Sequence, residues 1–276
     1  ESGWRLDVCD FCTDIVYSES AWYEFTVTSP AEWMIAATGE EVETRENPDG
    51  TLTHVYEAGP VRDLALVLSP EFRVQGQEVN GVMVSVYSLP GDSQAGEILQ
   101  IATAALRLFS KRFGAYPYPA LRLVALSGPG MMGKEYPGLI YLSYQQGDAR
   151  LTPLVARQVA HQWWYGVVGN DIFNAPWLDE SLAEYSAVLY LEEKDSAEAA
   201  QQQLQKYEDE LTRLRVLEGY DMPVGSPVKA FAPRGARYAA IIRGKGALFL
   251  DALISQIGAE AFFKGWRTYY DQYQFG

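Results

Sequence analysis

Two side chains of the kinds that bind metal ions stand near each other in the second half of the chain. His161 offers an imidazole nitrogen and Glu180 a carboxylate, with eighteen residues between them. Both are donors that transition metals take in proteins. The only other histidine, His54, lies in a strand-like segment without neighbouring cysteines or a carboxylate cluster, so we interpret it as structural. The histidine count therefore argues against any centre that takes two or three imidazoles from one local motif.

The residues just before His161 form a recognisable frame on one helix. Arg157 and His161 are four residues apart and project from the same helical face, with Gln158 beside that face. In the H-E-x-x-H motif of zinc peptidases, histidines fill both face positions and a glutamate follows the first histidine. That glutamate takes a proton from the metal-bound water. Here the same frame reads R-Q-x-x-H, so one imidazole and the carboxylate are replaced.

Four segments of the chain match motifs of one known protein family. H-Q-W-W-Y-G-V-V-G-N-D begins at His161, W-L-D-E-S-L-A-E-Y begins at Trp177, G-K-E-Y-P-G begins at Gly133, and R-G-K-G-A begins at Arg243. Together they resemble the gluzincin aminopeptidases of the aminopeptidase N and leukotriene-hydrolase type, whose pattern is H-E-x-x-H, eighteen residues, then E. The resemblance implies a thermolysin-like catalytic domain and a zinc-dependent aminopeptidase ancestry.

The resemblance also implies roles for the positions of the metal site. His161 and Glu180 are the remnant metal ligands, and Arg157 occupies the position of the third ligand. Gln158 falls on the general base, and Arg243 falls on the tyrosine that stabilises the tetrahedral intermediate. Arginine cannot bind a cation and glutamine has no basic carboxylate, so neither can do what the family residue does.

A second group of residues corresponds to the family's substrate-binding loop. Glu135 matches the glutamate that binds the free amine of the substrate, with Gly133 and Lys134 before it. Lys134 stands at the methionine position of that loop and could neutralise Glu135. Glu184, one helical turn after Glu180, is expected to orient a ligand rather than to bind metal itself.

These replacements predict that the zinc is lost and that no cofactor is bound. Two protein ligands are too few for a catalytic zinc, which uses three and a water molecule. A buried Glu180 without metal would need another cation, so we expect Arg157 to pair with it through two hydrogen bonds and Arg243 to point at the same pocket. The resulting interpretation is an inactive pseudopeptidase that binds a peptide or protein partner in the old cleft, or supports a longer chain.

Two alternatives remain open at the level of sequence. One is an active zinc aminopeptidase with rearranged ligands, in which Glu184 replaces the missing histidine. The other is an enzyme of a different kind that reuses the cleft, although the sequence offers no nucleophile and base pair for it.

The elements that must position these residues change in type along the chain. Alternating and β-branched segments predict strands at 22–28, 33–38, 51–56, 64–68, 82–87, 121–126 and 139–142. Apolar residues at helical spacing predict helices at 95–113, 151–168, 177–194, 196–218, 237–257 and 259–273. Strands first and helices afterwards indicate an α+β fold. With the resemblance, this predicts the C-terminal part of an aminopeptidase N-like β-domain over residues 1–72 and a degenerate thermolysin-like catalytic domain over 73–276.

The composition of the chain limits which classes of partner and which cellular locations we expect. Among 276 residues, 36 acidic side chains against 22 basic ones give a formal net charge of −14, which disfavours nucleic acid as a partner. No apolar run is long enough to span a bilayer. The pair Cys9 and Cys12 is most simply structural, and it is compatible with an oxidising compartment. Because bacterial members of the family are often exported, we expect an extracytoplasmic location. The family resemblance also implies a C-terminal helical domain that is absent from these 276 residues, so we expect a longer parent protein.

Overall fold

The computed structural model describes residues 18–276, so Cys9 and Cys12 lie outside the described residues. Its strands are β1 (Ala21–Pro30), β2 (Met34–Ala37), β3 (Glu40–Glu46), β4 (Thr51–Val61), β5 (Leu66–Ser69), β6 (Arg73–Val79), β7 (Val82–Ser88), β8 (Ala120–Ser127), β9 (Met132–Tyr136) and β10 (Leu139–Tyr144). Its helices are α1 (Ala95–Arg112), α2 (Leu151–Ala160), α3 (Trp177–Lys194), α4 (Ala197–Glu218), a 3₁₀ turn (Val228–Phe231), α5 (Gly235–Tyr238), a π-helix (Ala239–Lys245), α6 (Gly246–Ile257) and α7 (Ala259–Tyr273).

Most of the predicted elements are present, but one helix prediction is wrong in its second half. The helix predicted over 151–168 ends at Ala160, and the chain then turns. The reason lies in the backbone at Tyr165, whose φ of 117° is incompatible with a helix. The ring of the same residue is fully buried. Three strands were not predicted because their residues are mostly polar or lie beside glycine, namely β3, β6 and β9.

The described chain divides into two compact units. The first unit comprises residues 18–168 and 266–276, and the second comprises residues 169–265. Each unit has its own packed interior.

A mixed five-stranded sheet organises the first unit, in the order β6-β7-β8-β10-β9. β7, β8 and β10 run parallel, whereas the two edge strands pair antiparallel with their neighbours. Helix α1 packs on β6 and β7 with Ile98, Leu106 and Phe109 buried, and α2 packs on β9 and β10. Parallel central strands are typically covered on both faces, which agrees with their run of Val, Leu and Ile. This sheet and α2 position one half of the candidate residues.

The first unit also contains two smaller antiparallel sheets, β1-β4-β3 and β2-β5. Residues of β2 and β5 pack on the other face of the large sheet, around Phe72, Val124 and Leu139. The strand-rich beginning and helix-rich end of the chain confirm the predicted α+β class.

Aromatic residues close the turn that follows α2. Trp163 and Trp164 are fully buried and contact Phe113, and Trp164 also packs edge-on against Trp266. The Trp163 indole N–H donates to the Gly114 carbonyl at 3.0 Å. These rings fill the core, and their packing fixes the backbone immediately after His161.

Helices form the second unit, with α3 as the common neighbour. α3 packs on α4, on α6 and on the π-helix. A cluster including Leu211, Phe231, Tyr238 and Ile242 forms the interior beside the π-helix. The Ser196 hydroxyl caps α4 by accepting a hydrogen bond from the Ala199 amide at 3.1 Å. In the part of the chain that the structure describes, no helix has the length and apolar character needed to cross a bilayer.

We expect Gly246→Ala to lower the free energy of unfolding by about 1–3 kcal/mol, the usual cost of overpacking. A Cβ at Gly246 would lie 2.5 Å from the Cβ of Ser181, so α3 and α6 would have to separate. Gly265→Ala is the matched control, because a Cβ there meets nothing within 4 Å and alanine favours the helix by about 0.5–1 kcal/mol. Urea unfolding that gives equal stabilities for the two variants would contradict this packing.

Candidate active site

Helix α2 carries three of the predicted site residues. Leu151, Val155 and Val159 repeat at four-residue spacing and bury its apolar side. Arg157 and Gln158 lie in its last turn, and His161 directly follows its last residue as the C-cap. Both Gln158 and His161 are completely buried. The predicted helical frame R-Q-x-x-H is therefore present.

The ring of His161 is oriented by the turn that follows the helix. Its Nδ1–H donates to the carbonyl oxygen of Trp164 at 3.1 Å, since a carbonyl can only accept. This hydrogen bond fixes the tautomer in which Nε2 is the basic nitrogen. Metal-binding histidines are commonly held in the same way, through the second ring nitrogen. The ring of His161 is thus held in one orientation.

Strand β9 brings Gly133 and Glu135 to α2. A Cβ on Gly133 would lie 2.5 Å from Cγ of Gln158, so glycine is what allows the strand and helix to approach here. Glu135 is two residues further along and projects from the same face of the strand. Its carboxylate is 1% exposed, and neither oxygen has a hydrogen-bond partner among residues 18–276. The same holds for both amide atoms of Gln158.

Lys134 lies on the opposite face of β9. Its Nζ is 5.7 Å from the ring centroids of both Tyr136 and Tyr165, which is the geometry of a cation–π contact. The expectation that Lys134 neutralises Glu135 is therefore wrong, because neighbouring residues in a strand point to opposite faces. The resemblance aligned Lys134 with the binding loop but could not show on which side of the strand it points.

Gln162 is a positioning residue that the sequence did not reveal. Its Oε1 accepts from the Gly138 amide at 2.8 Å, and its Nε2 donates to the Tyr136 carbonyl at 3.0 Å. One side chain therefore ties the end of α2 to the turn between β9 and β10. Only the hydrogen bonds of the folded chain identify this role, since Gln162 stands beside His161 with no motif of its own.

In the second unit, Glu180 and Arg243 form a two-bonded ion pair. Arg243 Nε donates to Glu180 Oε2 and Nη2 donates to Oε1, each at 2.9 Å. The Glu180 side chain is 1% exposed and that of Arg243 is 23% exposed. The parallel geometry is the strongest form of an arginine–carboxylate contact. Arg243, which the sequence led us to expect in the pocket of Glu180, thus makes a two-bonded contact with that carboxylate.

The π-helix presents Arg243 to α3. The Ser181 hydroxyl, one residue after Glu180, donates to the carbonyl of Ile242, one residue before Arg243, at 2.6 Å. Short π-helical segments are frequent at functional sites because they shift the register of one turn. The helix predicted over 237–257 is instead three consecutive segments, since a sequence pattern does not show this change of register.

A second carboxylate, that of Glu184, adds negative charge near Arg243. Burial alone would lower the pKa of its guanidinium, but the charge and hydrogen bonds of Glu180 and the charge of Glu184 raise that pKa above its usual value. Glu184 accepts a hydrogen bond from the hydroxyl of Tyr207 on α4. The sequence analysis did not identify Tyr207. Its hydroxyl orients Glu184, whereas we expected Glu184 itself to orient a metal ligand.

The structure thus brings the predicted residues together in two groups. Glu135, Gly133 and Gln158 meet in the first unit, and Glu180, Glu184 and Arg243 meet in the second. The catalytic and binding roles assigned to them remain predictions.

Comparison with known proteins identifies the family behind this arrangement. Residues 98–276 match the Peptidase family M1 domain. The chain belongs to peptidase family M1. As a gluzincin of the aminopeptidase N type, it is 27% identical to Aminopeptidase M1-B of Oryza sativa subsp. japonica over 92% of this chain and 30% of that protein. It is 28% identical to the Alanine/arginine aminopeptidase of Saccharomyces cerevisiae over 78% of this chain and 26% of that protein.

A solved structure supports the fold of the M1 chain. The M1 zinc metallopeptidase from Deinococcus radiodurans superposes with a TM-score of 0.71 at 22% identity, covering 94% of this chain and 58% of that chain. The prediction of a partial β-domain followed by a thermolysin-like metallopeptidase domain is confirmed, while its boundary at residue 72 stays a prediction. This M1 chain spans less than a third of the length of the curated relatives named above.

The residues that the family resemblance assigns to the zinc positions do not match the ligands of a catalytic zinc. The first ligand position is the cation Arg157, and both oxygens of the carboxylate at the third position are bonded to another cation, Arg243. Across residues 18–276, no three His, Cys, Asp or Glu side chains are grouped so that they could hold a metal ion. The donor set left to this M1 domain is short of the three protein ligands of a catalytic zinc.

We expect Arg243→Met to destabilise the M1 domain by about 3–5 kcal/mol, because it removes the two-bonded partner of a buried carboxylate. Arg234→Met is the matched control, since Arg234 pairs with Glu218 at 3.2 Å on the surface with its side chain 60% exposed. That exposed pair should contribute no more than about 1 kcal/mol. Urea unfolding in which both variants lose the same small amount would show that the buried pair contributes little.

Proposed function

We propose that this M1 domain is a pseudopeptidase, which keeps the aminopeptidase fold, does not hydrolyse peptides, and binds a peptide or protein partner through groups of the former active site. The observation that carries the proposal is the two-bonded contact between Glu180 and Arg243. The carboxylate at a ligand position holds a guanidinium, and that guanidinium comes from the position of the family's catalytic tyrosine.

Gln158 stands at the position of the general base, so hydrolysis would also lack a group that accepts the proton. A general base must accept a proton, and a neutral amide does not do so at physiological pH. Losing a general base alone typically costs a factor of about 10²–10⁴ in rate. With Arg157 at the first ligand position, the activation of a water molecule by a metal is lost as well. The replacements thus affect both the base and the nucleophile.

The binding side of the former site is better preserved than its catalytic side. Glu135 remains a buried carboxylate, and Lys134 is directed away from it onto two tyrosine rings. Buried polar groups are normally hydrogen-bonded, so a carboxylate in this state favours a ligand that donates. The amino terminus of a peptide is such a donor, and it is the group that the family resemblance assigns to Glu135. This supports peptide binding without cleavage.

The second candidate function is an active zinc aminopeptidase with rearranged ligands. The observation in its favour is the orientation of His161, whose Nδ1–H is bonded to a carbonyl and whose Nε2 is the basic nitrogen. Zinc-binding relatives such as the Deinococcus radiodurans enzyme make zinc the natural metal for this alternative. Glu184 would have to give up its contact with Tyr207 to become a ligand.

Purified protein should contain far less than one zinc ion per chain after dialysis, because the three protein ligands of a catalytic zinc are not available. It should also not release the fluorophore from aminoacyl-coumarin substrates. The measurements are metal analysis by mass spectrometry and a fluorogenic assay with added zinc. An active M1 aminopeptidase assayed in parallel shows that the assay works. One zinc per chain together with turnover would establish the second candidate and overturn the pseudopeptidase proposal.

We expect Glu135→Gln to weaken the binding of peptides with a free amino terminus by roughly 10- to 100-fold, the effect of losing one hydrogen bond between charged groups. The probe is a fluorescein-labelled pentapeptide library, measured by polarisation in its free and N-acetylated forms. Glu78→Gln, at an exposed position of β6, is the control. Equal affinity of the unchanged protein for free and acetylated peptides would exclude Glu135 as the group that reads the amine.

A further inference from the structure

We infer that Arg243 is a built-in cation that stabilises Glu180 in place of a metal and also blocks Glu180 from binding one. This inference rests on the proposed function and adds a specific consequence to it. Restoring the H-E-x-x-H motif on α2 is then not sufficient to restore a metal site. The residue that must change is in the π-helix, 63 positions after Glu180.

The first step of the argument is the burial of Glu180. A carboxylate that is 1% exposed is costly unless a cation compensates its charge. The guanidinium of Arg243 does so with two parallel hydrogen bonds of 2.9 Å, one to each oxygen. The planar fork of arginine matches a carboxylate in a way that the lysine ammonium cannot. Folding therefore needs no metal ion to satisfy this group.

The second step is that the backbone delivers Arg243 to this place. Ser181 and Ile242 are joined by a hydrogen bond of 2.6 Å, and these residues are the immediate neighbours of Glu180 and Arg243. Gly246 lies against Ser181 in the same contact. The two halves of the ion pair are thus held opposite each other by contacts that do not involve their charges.

The third step concerns Glu184, the other acidic residue on this side of α3. Its charge contributes to the raised pKa of Arg243, and the Tyr207 hydroxyl donates to it. Arg243 is therefore attracted by two carboxylates of one helix, and its withdrawal would leave both with less compensation.

The consequence for metal binding follows from electrostatics. An incoming divalent cation would have to share the Glu180 carboxylate with a guanidinium already in hydrogen-bond contact, and like charges at that separation repel strongly where water is excluded. Groups that surround metal ligands change metal affinity by factors of about 10–100. We expect Arg243 to lower zinc affinity by at least the upper end of that range.

The experiment restores the α2 motif with and without Arg243. Three proteins are compared, namely Arg157→His/Gln158→Glu, the same with Arg243→Tyr added, and the same with Arg234→Met added as the control for loss of a surface arginine in the same unit. Zinc affinity is measured by competition with a chromophoric chelator, and the thermal midpoint is measured with EDTA and with zinc.

The protein with Arg243→Tyr should bind one zinc per chain, on the order of 100-fold more tightly than the other two. Its thermal midpoint should fall in EDTA and recover in zinc, whereas the midpoint of the others should be insensitive to both. If this variant does not fold without metal, Arg243→Gln is made in the Arg157→His/Gln158→Glu protein instead. The glutamine amide keeps two N–H donors for Glu180, so that zinc affinity can still be compared. Equal affinity of all three proteins for zinc would overturn the inference.

The outcomes separate this inference from the proposed function. Zinc and turnover in the unchanged protein would refute the pseudopeptidase proposal. Tight zinc binding by Arg157→His/Gln158→Glu while Arg243 is in place would refute only the blocking role of Arg243.

Discussion

The constraint on which the account depends is the charge of one buried carboxylate. Glu180 is 1% exposed on α3, and a group of that kind must meet either a metal ion or another cation. In this chain the π-helix supplies a guanidinium, with both oxygens bonded at 2.9 Å. The family resemblance assigns a histidine to position 157 and a tyrosine to position 243, and this chain has an arginine at both.

The same sequence keeps the parts of the M1 fold that do not depend on the metal. The ring of His161 is still oriented by a carbonyl, and Gly133 still allows β9 to approach α2. Glu135 remains buried on the face of β9 that meets this helix. This pattern supports the proposal that the domain binds a partner without hydrolysing it, and that Arg243 supplies the stability that a metal ion would otherwise supply.

Much of the fold follows from the sequence, because the strands of the large sheet and the long helices carry clear apolar periods. The helix predicted beyond Ala160 was wrong, because the backbone at Tyr165 has a positive φ that no helical pattern reveals. The family frame identified Glu135, His161, Glu180 and Arg243 by position. It could not show that Lys134 points away from Glu135, nor that Gln162 and Tyr207 hold the site, because side-chain direction and hydrogen bonding depend on the folded chain.

The central claim is that a guanidinium, and not a metal ion, holds Glu180 in the native protein. The most direct measurement is a crystal of the unchanged protein soaked in zinc and recorded at the zinc absorption edge. The account predicts no anomalous peak within bonding distance of Glu180 and an intact pair of hydrogen bonds from Arg243. A strong peak bonded to Glu180, with Arg243 turned away from it, would contradict the account.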